Sequence, residues 1–187
     1  GEIVTEEHLE FILDKTAEFD ALIVGPGIGK QEQTRNAIIE LVKNSNNIVL
    51  DADAIFDFNF KHSNILLTPH KGEMKRLTAS SKPEDLLEYA SKNGVTLLVK
   101  GEVDIITDGN LMKENRSGHP RMTVGGTGDV LAGVCGAFVA KGLTPFESAR
   151  LAAYSLGKAG ENCYEEIGAG FLPTDLTLSL SKILRRN

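Results

Sequence analysis

Four short apolar runs, at residues 21–24, 48–50, 65–67 and 96–99, each leading into a polar or glycine-rich turn, constrain this chain more than any other feature. Apolar runs of this length bounded by turn residues suit strands buried on both faces. Helix-period segments separate them. Residues 31–43 place Ala37, Ile38, Leu41 and Val42 on one face, a short helix runs through Leu77, and Pro83 starts a helix that Gly94 ends. Segments 103–107 and 111–113 flank Asp108-Gly109, a hairpin signal. Three helices close the chain. The first spans about 129–141 and stops at Gly142. The second opens with Thr144 as N-cap, Pro145 at N1 and Glu147 at N3. The third follows Pro173 with Leu176, Leu180, Ile183 and Leu184 on one face. Strands alternating with helices predict an α/β three-layer sandwich, a mostly parallel central sheet with helices on both faces. With 187 residues and no linker or repeat, residues 1–187 read as one domain.

Such sheets bind ligands beyond the carboxyl ends of their strands. The pattern puts four turns there: 25–29, 51–53, 68–73 and 100–101. The net charge of -6 lacks the basic footprint of a nucleic-acid binder. The adjacent Arg185 and Arg186 suit a helix C-terminus instead. No apolar run approaches the roughly 20 residues that span a bilayer. Cys135 and Cys163 make neither a zinc site nor a disulfide framework and read as inert buried thiols. A cytoplasmic protein is the expectation. The chain opens at Gly1 rather than Met, as a processed form or a fragment would.

The loop at 25–29 fits neither standard phosphate loop. Lys30 stands where a dinucleotide fingerprint needs its third glycine. Val24 and Gln31 stand where a P-loop needs Gly and Ser or Thr. It reads either as a tight strand-to-helix turn or as a backbone surface open to a ligand. The segment 125–129 is more pointed. Gly125, Gly126 and Gly128 precede an apolar helix, where free N–H groups and the helix dipole attract anions. Asp129 there reads either as a cap or as a base that takes a proton from an attacking hydroxyl. Ala132, Gly133, Gly136 and Ala137 allow the helix to pack closely, while Val130, Leu131, Val134 and Phe138 read as core. Asp51 and Asp53 share a face only if the chain stays extended, and read as metal ligands or as a cap at Asp53. His70 reads as a hydrogen-bonding turn residue, and Lys100-Gly101 is uninformative alone.

In order, GPGIG (25–29), DADAI (51–55), LTPHKGEMKRL (67–77), VKGEVD (99–104) and GGTGDVLAG (125–133) resemble the NAD(P)H-hydrate dehydratase family, a branch of the ribokinase-like superfamily. The resemblance extends over essentially the whole chain. It implies a ribokinase-like domain lacking its N-terminal segment, because family members open with a further strand-helix unit, and its Gly-Ser-rich stretch lines the substrate site. The implied activity is dehydration of hydrated NADH or NADPH (NADHX, NADPHX) by phosphorylation of the C6 hydroxyl and elimination of phosphate. ADP or ATP is the implied phosphoryl donor, with Mg2+ bridged by the nucleotide phosphates rather than held by protein ligands.

Carried over residue by residue, the resemblance makes Asp129 the catalytic base and Gly126, Thr127 and Gly128 the anion hole. Lys100, Gly101, Glu102, Val103, Asp104, Thr123, Gly125 and Gly128 would bind nucleotide. Gly27, Gly29, Asp51, His70, Glu73 and Asp129 would bind substrate. Many members carry Thr where this chain has Asp104, and the acidic residue is closer to the eukaryotic pattern, which leaves ADP and ATP both open. The resemblance also implies a homo-oligomer and an NAD(P)HX epimerase domain or partner. Two alternatives remain: a kinase for a sugar or vitamin precursor on the same fold, and a non-catalytic nucleotide-binding fragment.

Overall fold

The computed structural model describes residues 6–57 and 64–185; Gly1 and Arg186 lie outside them. Six strands form one sheet in the order of the chain: β1 (Leu22–Val24), β2 (Ile48–Leu50), β3 (Ile65–Leu67), β4 (Thr96–Val99), β5 (Asp104–Thr107) and β6 (Met112–Asn115). The first four pair in parallel, and β5 and β6 pair antiparallel. Four parallel strands laid down in sequence order require every crossover to step the same way. Right-handed connections then put the intervening helices on one face.

The side chains agree. Ile48 and Leu50 face a cluster with Ile38, Leu41 and Val42 of α2 (Glu32–Asn44), Met74 of α3 (Lys71–Thr78) and Leu86 and Ala90 of α4 (Pro83–Asn93). Val49, Leu66, Leu98 and Ile106 point the other way. They meet Leu131 and Cys135 of α5 (Thr127–Ala140), Ala152 and Leu156 of α6 (Pro145–Ile167), and Leu176 and Leu180 of α7 (Pro173–Leu184). Burying each such Leu or Ile contributes about 1.5–3 kcal/mol relative to exposure. The expected three-layer sandwich is therefore built from two apolar cores divided by the sheet.

Local signals act as chemistry predicts. Gly94 ends α4 in the left-handed region at φ 65°. Thr144 Oγ1 accepts from the Glu147 N–H at 3.2 Å, and Glu147 Oε2 accepts from the Thr144 N–H at 3.1 Å. A Cβ on Gly136 would run into the Ile23 side chain, so α5 rests directly on β1.

Some expectations shift. The first hairpin strand begins at Asp104 rather than Val103, and the second begins at Met112 because Asp108 Oδ1 accepts from the Asn110 and Leu111 N–H groups, drawing Leu111 into the turn. Ala137 is exposed and takes no part in close packing, and Leu184 is largely exposed. Val130, Val134 and Phe138 are only partly buried against the core. Three elements had no sequence signal strong enough to read: α1 (Glu6–Thr16), a charged helix that lays Leu9, Ile12 and Leu13 beside the α2 core, and two short 3-10 turns, at Ala52–Ala54 and Pro120–Met122.

Candidate active site

The carboxyl ends of β1 to β4 bring the four predicted turns to one edge of the sheet. The N-terminal turn of α5 comes down on that edge. A Cβ on Gly128 would lie 3.4 Å from Lys100 Nζ, beyond β4, and 3.7 Å from Asp51 Oδ2, beyond β2. Lys100 Nζ donates to Asp51 Oδ1 at 2.7 Å, and Thr68 Oγ1, beyond β3, donates to the same oxygen at 2.8 Å. Asp51 is 2 % exposed, whereas the Lys100 side chain is 23 % exposed. Three strand ends thus supply one partly sealed ion pair, and Gly128 of α5 lies beside it without a side chain.

Gly126, in the left-handed region at φ 95°, turns the chain into α5 with no side-chain cap. The first N–H groups of a helix lack intrahelical acceptors. The expected anion hole is narrowed here. The Thr127 N–H is taken by the Val124 carbonyl at 3.3 Å, because the turn through Gly126 closes on it. Gly126, Gly128 and Asp129 remain as open donors among the described residues. Asp129 lies at N3, exposed, and its carboxylate has no hydrogen-bond or ion-pair partner among the described residues. No carboxylate bond closes back on the helix terminus, so as a first-turn residue Asp129 complements α5 through its charge and the helix dipole alone. The arrangement is an open carboxylate beside amides that have no backbone acceptor, at a helix N-terminus that favours anions.

Asp51 and Asp53 do not share a face, because a 3-10 turn at Ala52–Ala54 separates them. Asp53 caps no helix. Its Oδ2 accepts from the Gly29 N–H at 3.2 Å and its Oδ1 lies 3.3 Å from Lys30 Nζ, so it ties the glycine loop down. Gly29 is therefore a committed donor rather than a free one for substrate. Gly27 keeps open space around its Cα. His70 Nδ1 accepts from the Gly72 and Glu73 N–H groups at 2.9 and 3.1 Å, while Glu73 Oε2 accepts from the His70 N–H at 2.8 Å. The pair caps α3, which gives the buried Glu73 a structural task. His70 Nε2 lies 3.5 Å from Glu73 Oε1, and the ring is more than half exposed.

Among the nucleotide candidates, Asp104 turns inward. Its oxygens accept from the Gly101 N–H and the Asn115 side-chain amide, both at 3.0 Å, and burial raises its pKa despite those bonds. It shapes the 101–104 turn rather than offering a free carboxylate. Glu102 and Gly101 are exposed and Val103 is partly buried. Thr123 Oγ1 donates to the Pro120 carbonyl at 2.7 Å, and Gly125 has open space. Cys135 lies behind the ion pair, and burial, with Asp51 adding to it, pushes its thiol up to about 12; burial also raises Cys163. Both thiols are free and buried, as expected. Two participants were missed. Thr68 carries the hydroxyl on Asp51. Lys71 lies over the 101–104 turn, where a Cβ on Gly101 would stand 2.9 Å from its Cε and 3.3 Å from its Nζ. Both belong to the LTPHKGE segment, but their targets come from distant strands.

No group of three or more His, Cys, Asp or Glu able to hold a metal ion exists among the described residues. A divalent cation here would have to be held largely by ligand phosphates, which suits Mg2+ and its few protein ligands. No described helix is long and apolar enough to cross a membrane.

Residues 2–182 match the NAD(P)H-hydrate dehydratase family. The chain belongs to that family. Relatives include the bifunctional NAD(P)H-hydrate repair enzyme Nnr of Pyrobaculum aerophilum, 36% identical over 100% of this chain and 40% of its own length. The ADP-dependent (S)-NAD(P)H-hydrate dehydratase of Cenarchaeum symbiosum is 38% identical over 89% of this chain and 62% of its own. The chain thus spans two fifths of the bifunctional relative and about three fifths of the dehydratase. The ADP/ATP-dependent NAD(P)H-hydrate dehydratase of Bacillus subtilis, co-crystallised with ATP and Mg2+, superposes with a TM-score of 0.82 at 24% identity. The match covers 93% of this chain and 69% of that one, and the likeness extends to the fold. The dehydratase family and the ribokinase-like fold inferred from the motif order are both borne out.

Proposed function

We propose that this chain dehydrates NADHX or NADPHX to the reduced nucleotide with ADP or ATP as phosphoryl donor. The observation that carries the reading is the exposed, unpartnered Asp129 carboxylate beside the open amides of α5. Asp129 takes the proton of the C6 hydroxyl as its oxygen attacks phosphorus. The Gly126 and Gly128 amides and the Lys100 ammonium meet the charge that develops on the transferred group, stabilisation already in place before reaction. The nucleotide, carrying Mg2+ on its phosphates, supplies the phosphoryl group that turns hydroxide into a good leaving group. The ring nitrogen lone pair then expels phosphate, and loss of a C5 proton restores the double bond.

Lys100, Lys71 and the 101–104 turn form the nucleotide side of this site; Gly27 and the exposed side of His70 form the substrate side. The relative from Cenarchaeum symbiosum, named as ADP-dependent, supports ADP as the donor. The bifunctional relatives support an NAD(P)HX epimerase activity on a linked domain or partner. Exposed Ile167, Leu172 and Leu178 on and beside α6 and α7 support a homo-oligomer. The compartment that fits such repair is the cytoplasm.

The test mixes the protein with hydrated NADH, Mg2+ and either ADP or ATP and follows the return of reduced-nicotinamide absorbance. Recovery with one donor is expected. Accumulation of a stable phosphorylated product on a sugar or hydroxymethyl substrate would establish the kinase alternative. Nucleotide binding with no turnover of any substrate would establish the non-catalytic one.

A further inference from the structure

The Lys100–Asp51 pair is a charged contact placed where packing alone has no use for one. Taking an ion pair out of water is costly and does not by itself stabilise a fold. Yet Asp51 is 2 % exposed and receives both Lys100 and Thr68 on one oxygen, at 2.7 and 2.8 Å. The segment that supplies Thr68 also holds the lysine backbone, since the Lys100 N–H donates to the Pro69 carbonyl at 2.8 Å. An ammonium has three donors, and Asp51 uses one. The ammonium lies within 3.4 Å of where a Gly128 Cβ would be, under the open amides of α5. A lysine on a free four-carbon stem would spread its charge over many rotamers.

We propose that Asp51, held by Thr68, is a positioning residue that fixes the Lys100 ammonium beneath the first turn of α5, so that its remaining donors meet the transferred phosphoryl group together with the Gly128 amide. Asp51 therefore acts through Lys100 and does not bind the nicotinamide substrate. This role rests on the phosphoryl-transfer reading above.

Asp51→Asn, Lys100→Met, the double variant, Thr68→Val and Thr68→Ser are compared by turnover of hydrated NADH, by ADP and adenosine affinity, and by thermal melting. Losing a preorganised charge partner costs about tenfold or more in kcat. Asp51→Asn is expected to lose that much and to weaken ADP binding while adenosine binding holds. The double variant should be no slower than Lys100→Met alone. Thr68→Val should fall between wild type and Asp51→Asn, and Thr68→Ser should restore the rate. Losses that multiply in the double variant would show that Asp51 and Lys100 act independently, and equal losses for adenosine and ADP would show a merely structural pair; either result would overturn the proposal. If Asp51→Asn does not fold, the Thr68 pair decides by the same rate and ADP-against-adenosine comparison. Wild-type protein that turns nothing over, but whose preference for ADP over adenosine disappears in Asp51→Asn, keeps the positioning role and defeats the activity. Turnover that survives Asp51→Asn does the reverse. Wild-type protein that binds neither ADP nor adenosine defeats both.

Discussion

Gly25 sits so close to Asp51 that a Cβ at residue 25 would overlap the Asp51 carbonyl oxygen. Its φ of 142° adds a backbone conformation that L side chains rarely adopt. The glycine loop is thereby explained as a support for the residue that holds Lys100, not as a phosphate loop. Gly25→Ala is expected to lower the melting temperature by at least about 6 °C, as a buried clash of several kcal/mol would. Gly27→Ala meets open space and bears only the φ strain of 72°, so its melting temperature should fall by no more than about 4 °C. Equal shifts in the two variants would refute this account of the loop.

Asp129→Asn keeps the size of the side chain and removes its basicity. Turnover should fall by about 10²–10⁴-fold, the usual contribution of a positioned base. Nucleotide affinity measured by fluorescence titration should stay within a few-fold. A rate within a few-fold of wild type would mean that another group takes the proton.

Lys71 stands exposed over Gly101 on the nucleotide side. Lys71→Met should raise the nucleotide KM about threefold to tenfold, with a smaller change in kcat, consistent with loss of one solvent-facing cation near phosphate. Raising the salt concentration should narrow the difference, because exposed charges are screened. A KM that does not move would place the phosphates away from Lys71.

Thr144 and Glu147 form a reciprocal cap at the start of α6. The Thr144 hydroxyl and N–H lower the pKa of Glu147. A carboxyl whose pKa is lower folded than unfolded adds stability above its unfolded value, about 4.3, and loses it as pH falls through the folded value. Thr144→Ala should therefore melt about 2–4 °C below wild type at pH 7, with the gap shrinking below about pH 4. A gap that is constant from pH 7 to pH 3 would show that Glu147 does not contribute through its charge.

The sequence by itself determined what depends on near neighbours. Strand runs such as Ile48–Leu50, the Gly94 stop, the Thr144 cap and the glycine-rich entry to α5 are set by residues a few positions apart, and all are present. The motif order carried the family. Tertiary structure decided which atoms each polar residue meets. Asp51 and Lys100 are 49 positions apart, and only β2 and β4 lying either side of β3 bring them to one ion pair. The same holds for Asp53 on the Gly29 N–H, for Asp104 on Asn115 and for Lys71 over Gly101. A carboxylate or ammonium looks the same in sequence whether it is committed or free. The difference lies in donors and acceptors delivered by other strands, and those are fixed only when the two apolar cores close on the sheet.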